Sequence, residues 1–164
     1  MRIPFDTMKT RFTEILLKHG FILDKAHHCA RIFTENSLDG VYTHGLNRFP
    51  TFISMIQEGL VDYEAVPELE GTNGLIEQWN GKLGPGMLNA EFCMARAISL
   101  AGEHGIGCVA IRNTNHWMRG GTYGWQAAND GFIGICFTNT IANVPPWGGI
   151  DPRLGNNPLV IAVP

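Results

Sequence analysis

The sequence predicts a mixed α+β fold outside the Rossmann class, with an N-terminal helical segment over residues 1–62 and a strand-and-helix domain over residues 63–164. Three observations carry that expectation. Through the first sixty positions apolar residues recur at three- and four-residue spacing, the period of an amphipathic helix. Beyond Val61 the texture changes to short apolar runs of strand length, separated by two further helical patterns, which suits a layered mixed fold. The glycine loop of a dinucleotide-binding unit is also missing from its required place. Gly105-Ile106-Gly107-Cys108-Val109-Ala110 spells the pattern, yet it leaves a helix and enters a strand, the reverse of the order that cradles a pyrophosphate.

The elements follow in order. Phe5, Met8, Phe12, Ile15 and Leu16 share one face of a helix over residues 6–19, stopped by Gly20. Asp24 is the expected N-cap of a second helix that ends near Gly40 and carries Ala26, Ala30 and Phe33 inward. A third covers residues 47–58, with Phe49, Phe52, Ile53 and Ile56 apolar. Pro50 lacks an N–H and is tolerated only in a first turn, so His44 falls just ahead of that helix and Arg48 in its first turn. Strands are expected at residues 68–70, 75–79, 108–112, 132–137 and 159–163, and helices at residues 88–104 and 122–129, closed by Gly105 and Gly131.

Composition excludes several classes of function. Hydrophobic residues make up 45% and charged residues 16%, the balance of a core-forming chain, and a net charge of −3 leaves no basic footprint for nucleic acid. No apolar run approaches the roughly 20 residues of a membrane span, and Asp6, Lys9, Arg11 and Glu14 interrupt any leader-like start. A cytoplasmic protein without membrane or nucleic-acid partners is expected. Cys29, Cys93, Cys108 and Cys136 are widely spaced in apolar surroundings and read as buried free thiols, with disulfides the alternative. His27, His28 and Cys29 are consecutive and point to different helix faces, and no H-x-x-x-H pair occurs, so no metal site is expected. Gly81 to Gly86 lacks the Lys-Ser/Thr ending of a phosphate loop and reads as a turn into a helix.

The run from Val41 to Pro50 concentrates chemistry. His44 can deliver a proton near neutral pH, and Arg48, four residues on, offers a fixed two-point fork to a carboxylate. His116 lies in a second polar connection, Asn113-Thr114-Asn115-His116-Trp117-Met118-Arg119-Gly120-Gly121, of the kind that carries functional groups on a rigid scaffold. Each histidine also admits the plain role of a loop residue bonded to a backbone carbonyl. The stretches ending in Thr140 and around Asn156-Asn157-Pro158 are, alone, turn chemistry.

Taken together, residues 41–50, Ile76-Glu77-Gln78-Trp79, the Asn115-to-Gly121 run with Tyr123-Gly124-Trp125, and Pro145-Pro146-Trp147-Gly148 resemble the type 2 malate/L-lactate dehydrogenase family, across essentially the whole chain. That resemblance implies a nicotinamide-dependent oxidoreductase acting on small 2-oxo or 2-hydroxy acids, here a sugar-derived one, with a cofactor held outside a Rossmann fold. NAD(H) is favoured over NADP(H), and a homodimer is implied for the full-length enzyme. It casts His44 as proton donor, Arg48 and His116 as substrate-binding, and Thr140 and Asn157 as nicotinamide-side residues. Relatives usually carry a threonine where Asn156 stands, a departure that leaves that position without its hydroxyl. In relatives the main dinucleotide-binding residues follow the position of Pro164, so the chain is expected to be an N-terminal half, incomplete at its C-terminus and inactive alone. A non-catalytic domain that kept its core, and a metal hydrolase built on His44 and His116, are the competing readings.

Overall fold

The computed structural model describes residues 2–164. Its contacts divide the chain into two compact units that meet in sequence between Arg119 and Gly120. The change of texture near residue 62 marks where helices give way to strands; the strands that follow it, up to Arg112, remain in the first unit.

In the first unit, α1 (Phe5–Lys18), α2 (Leu23–Leu38) and α3 (Phe49–Gln57) enclose an aromatic core. Phe12 and Phe49 stack with ring centroids 4.0 Å apart, and Phe33 meets Phe49 edge-on at 5.1 Å. All three rings are buried, a burial that stabilises by about 1.5–3 kcal/mol each. The consequence is local: Phe49, the first residue of α3, is fixed from two sides, and with it the preceding Arg48. Three strands follow, β1 (Glu68–Asn73), β2 (Ile76–Asn80) and β3 (Cys108–Arg112), with α4 (Gly86–His104) between the last two. β1 pairs antiparallel with β2 and β2 parallel with β3. A helix between parallel neighbours is what such a pairing requires.

The second unit holds α5 (Gly121–Asn129), β4 (Gly134–Phe137) and β5 (Leu159–Ala162), the strands antiparallel. One face of the pair packs on α5 and the other, bearing Ile135, Phe137, Leu159 and Ile161, is exposed. The mixed α+β class is thus borne out.

Four details differ from expectation. Ile22, not Asp24, occupies the N-cap of α2; Asp24 lies in the first turn, where its charge still faces the positive helix end. Arg48 is the N-cap of α3 and lies outside its first turn, because Pro50 is accommodated at the start of a helix that begins at Phe49. β4 starts at Gly134, since the Phe132 N–H is used to close the end of α5 on Ala127 O. All four cysteines are free, but Cys108 is exposed: along β3 the inward positions are the alternate ones, Val109 and Ile111. No helix among the described residues is long and apolar enough to cross a membrane.

Gly86 opens α4 directly beneath the connection that carries His116. A Cβ there would lie 1.9 Å from the Asn115 carbonyl oxygen, a backbone atom that cannot step aside. Gly86→Ala is therefore expected to destabilise by about 1–3 kcal/mol or more through overpacking, read as a lower urea midpoint. An unchanged midpoint would show that the connection can move away freely.

Candidate active site

Two segments distant in sequence meet at the C-terminal end of α2. The first is the turn that bears His44. Beyond Leu38 the chain folds into a single 3-10 turn, Tyr42–His44. The Asn36 amide, buried at the helix end, donates to His44 O at 3.0 Å, and Ser37 Oγ accepts from Leu46 N at 2.8 Å. Gly45 lets that turn lie against the helix, since a Cβ there would come within 2.2 Å of Ser37 Oγ.

The second segment is the 113–119 connection. The Asn115 amide donates to Leu60 O at 3.0 Å and to Leu83 O at 2.6 Å, pinning its start. Met118, buried in the core, has φ +64°, a left-handed conformation that costs a non-glycine residue roughly 1–2 kcal/mol. That turn brings the Met118 N–H onto His116 Nδ1 at 2.9 Å. An Nδ1 that accepts a hydrogen bond leaves the neutral ring's proton on Nε2.

The two imidazoles face each other, centroids 5.5 Å apart and planes inclined by 37°. Arg48, four residues after His44, is close enough for its charge to act on both. Partial burial, then the Arg48 cation, lowers His44 from its ordinary value. Desolvation first, then the charges of Arg48 and His44, push His116 down to about 4, although one side of that residue stays open to solvent. His44 Nδ1 lies 3.0 Å from Thr43 Oγ1. A hydroxyl can donate to that nitrogen or accept from it, so Thr43 suits either protonation state of His44. The arrangement can bind an anion at Arg48 and exchange a proton through His44.

Thr140 and Asn157 come together in the second unit. Thr140 N donates to Asn157 Oδ1 at 2.9 Å, and Thr140 Oγ1 donates to Asn156 Oδ1 at 2.9 Å. Asn156 thus takes part in the cluster through its amide oxygen. Among the described residues no three His, Cys, Asp or Glu side chains gather as a metal-holding group. The sequence did not single out Asn36 and Ser37, whose side chains bond the His44 turn, or Asp39, whose carboxylate pairs with Arg119 in the other segment. Their signal was three polar residues clustered at the end of α2, just ahead of residue 41.

Low protonation of His116 has a consequence for stability. Between pH 4 and 6.5 the folded ring binds fewer protons than the unfolded one, so stability rises with pH across that window and falls as pH drops from 6.5 towards 4. Thermal midpoints should therefore decline on acidification, and decline less steeply in His116→Gln. Superimposable pH dependences for the two proteins would contradict the environment described for this ring.

The family model described as malate/L-lactate dehydrogenase matches residues 3–164. The 2,3-diketo-L-gulonate reductase of Klebsiella pneumoniae (strain 342) is 49% identical over 164 residues, which are 100% of this chain and 49% of that protein. The malate dehydrogenase structure from Entamoeba histolytica superimposes with a TM-score of 0.95 at 34% identity, covering 100% of this chain and 46% of that one. Sulfolactate dehydrogenase from Methanocaldococcus jannaschii gives 0.94 at 32%, covering 99% and 47%. The chain spans about half the length of the curated relatives it matches.

Proposed function

Because the chain belongs to the malate/L-lactate dehydrogenase family, we propose that His44, Arg48 and His116 form the substrate side of a nicotinamide-dependent 2-oxo acid reductase. The single observation that carries this reading is the pair of facing imidazoles beside one permanent cation. Arg48 would take the substrate carboxylate in a two-point contact. His116, neutral and protonated on Nε2, would donate a hydrogen bond to the C2 carbonyl oxygen and polarise it. His44 would deliver the proton to that oxygen as charge develops there, with Thr43 accepting from its Nδ1 while the ring is charged. Burial does most to lower His44 and the Arg48 cation adds to it; a carboxylate anchored on Arg48 would offset that second cause and favour the protonated donor.

The cofactor would supply the hydride. The hydroxyl and amides of Thr140, Asn156 and Asn157 are of the right kind to satisfy the donors and acceptor of a nicotinamide carboxamide, so this donor set fits the group. NAD(H) in preference to NADP(H), a homodimer and a cytoplasmic setting belong to the same proposal and rest on the family resemblance alone.

The 49% identity to a 2,3-diketo-L-gulonate reductase favours a sugar-derived 2-oxo acid as substrate. A fusion of this chain to the C-terminal half of that Klebsiella relative tests it, assayed for NADH oxidation with 2,3-diketo-L-gulonate, pyruvate, oxaloacetate and sulfopyruvate. Highest kcat/KM on the diketo acid supports the reading, and highest kcat/KM on oxaloacetate moves the chain to the malate side of its family. A folded fusion inert to all four would make this a non-catalytic domain. Hydrolysis restored only by added metal would favour the hydrolase.

A further inference from the structure

The 113–119 connection is tied to α2 by an ion pair that the proposed chemistry does not use. Arg119 Nη1 lies 2.5 Å from Asp39 Oδ2, and Asp39 is the C-cap residue of α2, two positions beyond Ser37. Its side chains are 22% (Arg119) and 34% (Asp39) exposed, so the pair stands partly in solvent and matters here for the geometry it fixes and not for its strength. The two histidine segments therefore hang from one helix end: His44 through Asn36 and Ser37, His116 through Asp39.

We infer that Asp39 and Arg119 are positioning residues that hold the His116 ring against His44. The physical chain runs through Met118. Its left-handed backbone is uphill and persists only while the packing and contacts around it hold it there. On one side its own side chain is buried in the core, and on the other Arg119 is held by Asp39. Take away the Asp39 carboxylate, and the hold of α2 on this segment loosens: Met118 can relax, its N–H parts from His116 Nδ1, and the ring turns outward into water. The inference rests on reading His44 and His116 as the substrate-facing pair.

The test is an NMR titration of the His116 Cε1 proton in the 164-residue chain, which needs neither substrate nor cofactor. The groups facing that ring are His44, Arg48 and the Met118 N–H. In Asp39→Asn the midpoint should rise from about 4 by about one unit or more towards the free-imidazole value of about 6.5. The sign discriminates. Removing a nearby negative charge by itself lowers a histidine midpoint, so a rise reads release of the ring and not the lost charge. Asp39→Glu, which keeps the carboxylate, should retain the low value. A midpoint unchanged or lowered in a folded Asp39→Asn overturns the inference. So does an Asp39→Asn chain that fails to fold, since the pair would then be holding the chain together and not orienting one ring. A fusion that reduces no 2-oxo acid would leave a positive titration standing, and a ring that never moves would leave the catalytic reading standing.

Discussion

His44→Ala in the active fusion should lower kcat for 2-oxo acid reduction by about 10²- to 10⁴-fold, the range typical of a positioned general acid. The loss belongs in kcat because proton delivery is made only as charge develops on the carbonyl oxygen. Carboxylate binding through Arg48 should survive, since Arg48 is held by the start of α3 and by Phe49 in the aromatic core, not by the imidazole. The fold should survive as well: the turn is tied down through the backbone of His44, to which Asn36 donates, and alanine keeps that carbonyl. Near-parental turnover between pH 6 and 8 would remove His44 from the mechanism.

Arg48→Lys should cost nearly as much as Arg48→Ala, about 2–4 kcal/mol or on the order of 30- to 1,000-fold in kcat/KM, because an ammonium cannot reproduce a planar two-point grip on a carboxylate. The two substitutions separate geometry from charge. Lysine keeps the cation that depresses both histidines, so their midpoints should remain low; alanine removes it, and both should rise. Loss of activity in both variants with a midpoint change only in Arg48→Ala would show that the fork, and not the field, recognises the substrate. Parental kinetics for Arg48→Lys would return Arg48 to the role of a helix cap.

Most of the secondary structure was legible because its signals are local. The helical period of Phe5, Met8 and Phe12, the stop at Gly105 and the apolar run at β3 each lie within one element, and the structure places those elements within a few residues of expectation. What was not legible depends on neighbours. The exposure of Cys108 follows from which side of β3 packs inward, and nothing in its own pentapeptide states that side. The start of α3 at Phe49 is set by two aromatic partners from α1 and α2 as much as by Pro50. For the site, histidine and arginine types announce their chemistry in sequence, so His44, Arg48 and His116 could be singled out. Their closeness could not be read: His44 and His116 stand 72 positions apart, and the contacts of Asn36, Ser37 and Asp39 with the two segments follow no local pattern.

The most direct measurement is the pH dependence of kcat/KM in both directions, with and without His44. If His44 carries the proton, reduction of the oxo acid declines and oxidation of the hydroxy acid reaches its plateau above one shared inflection, which the fold places below 6.5. That inflection should vanish in His44→Ala and persist in His116→Gln. An inflection that survives His44→Ala and disappears in His116→Gln would make His116 the proton donor and contradict the assignment on which the proposed mechanism rests.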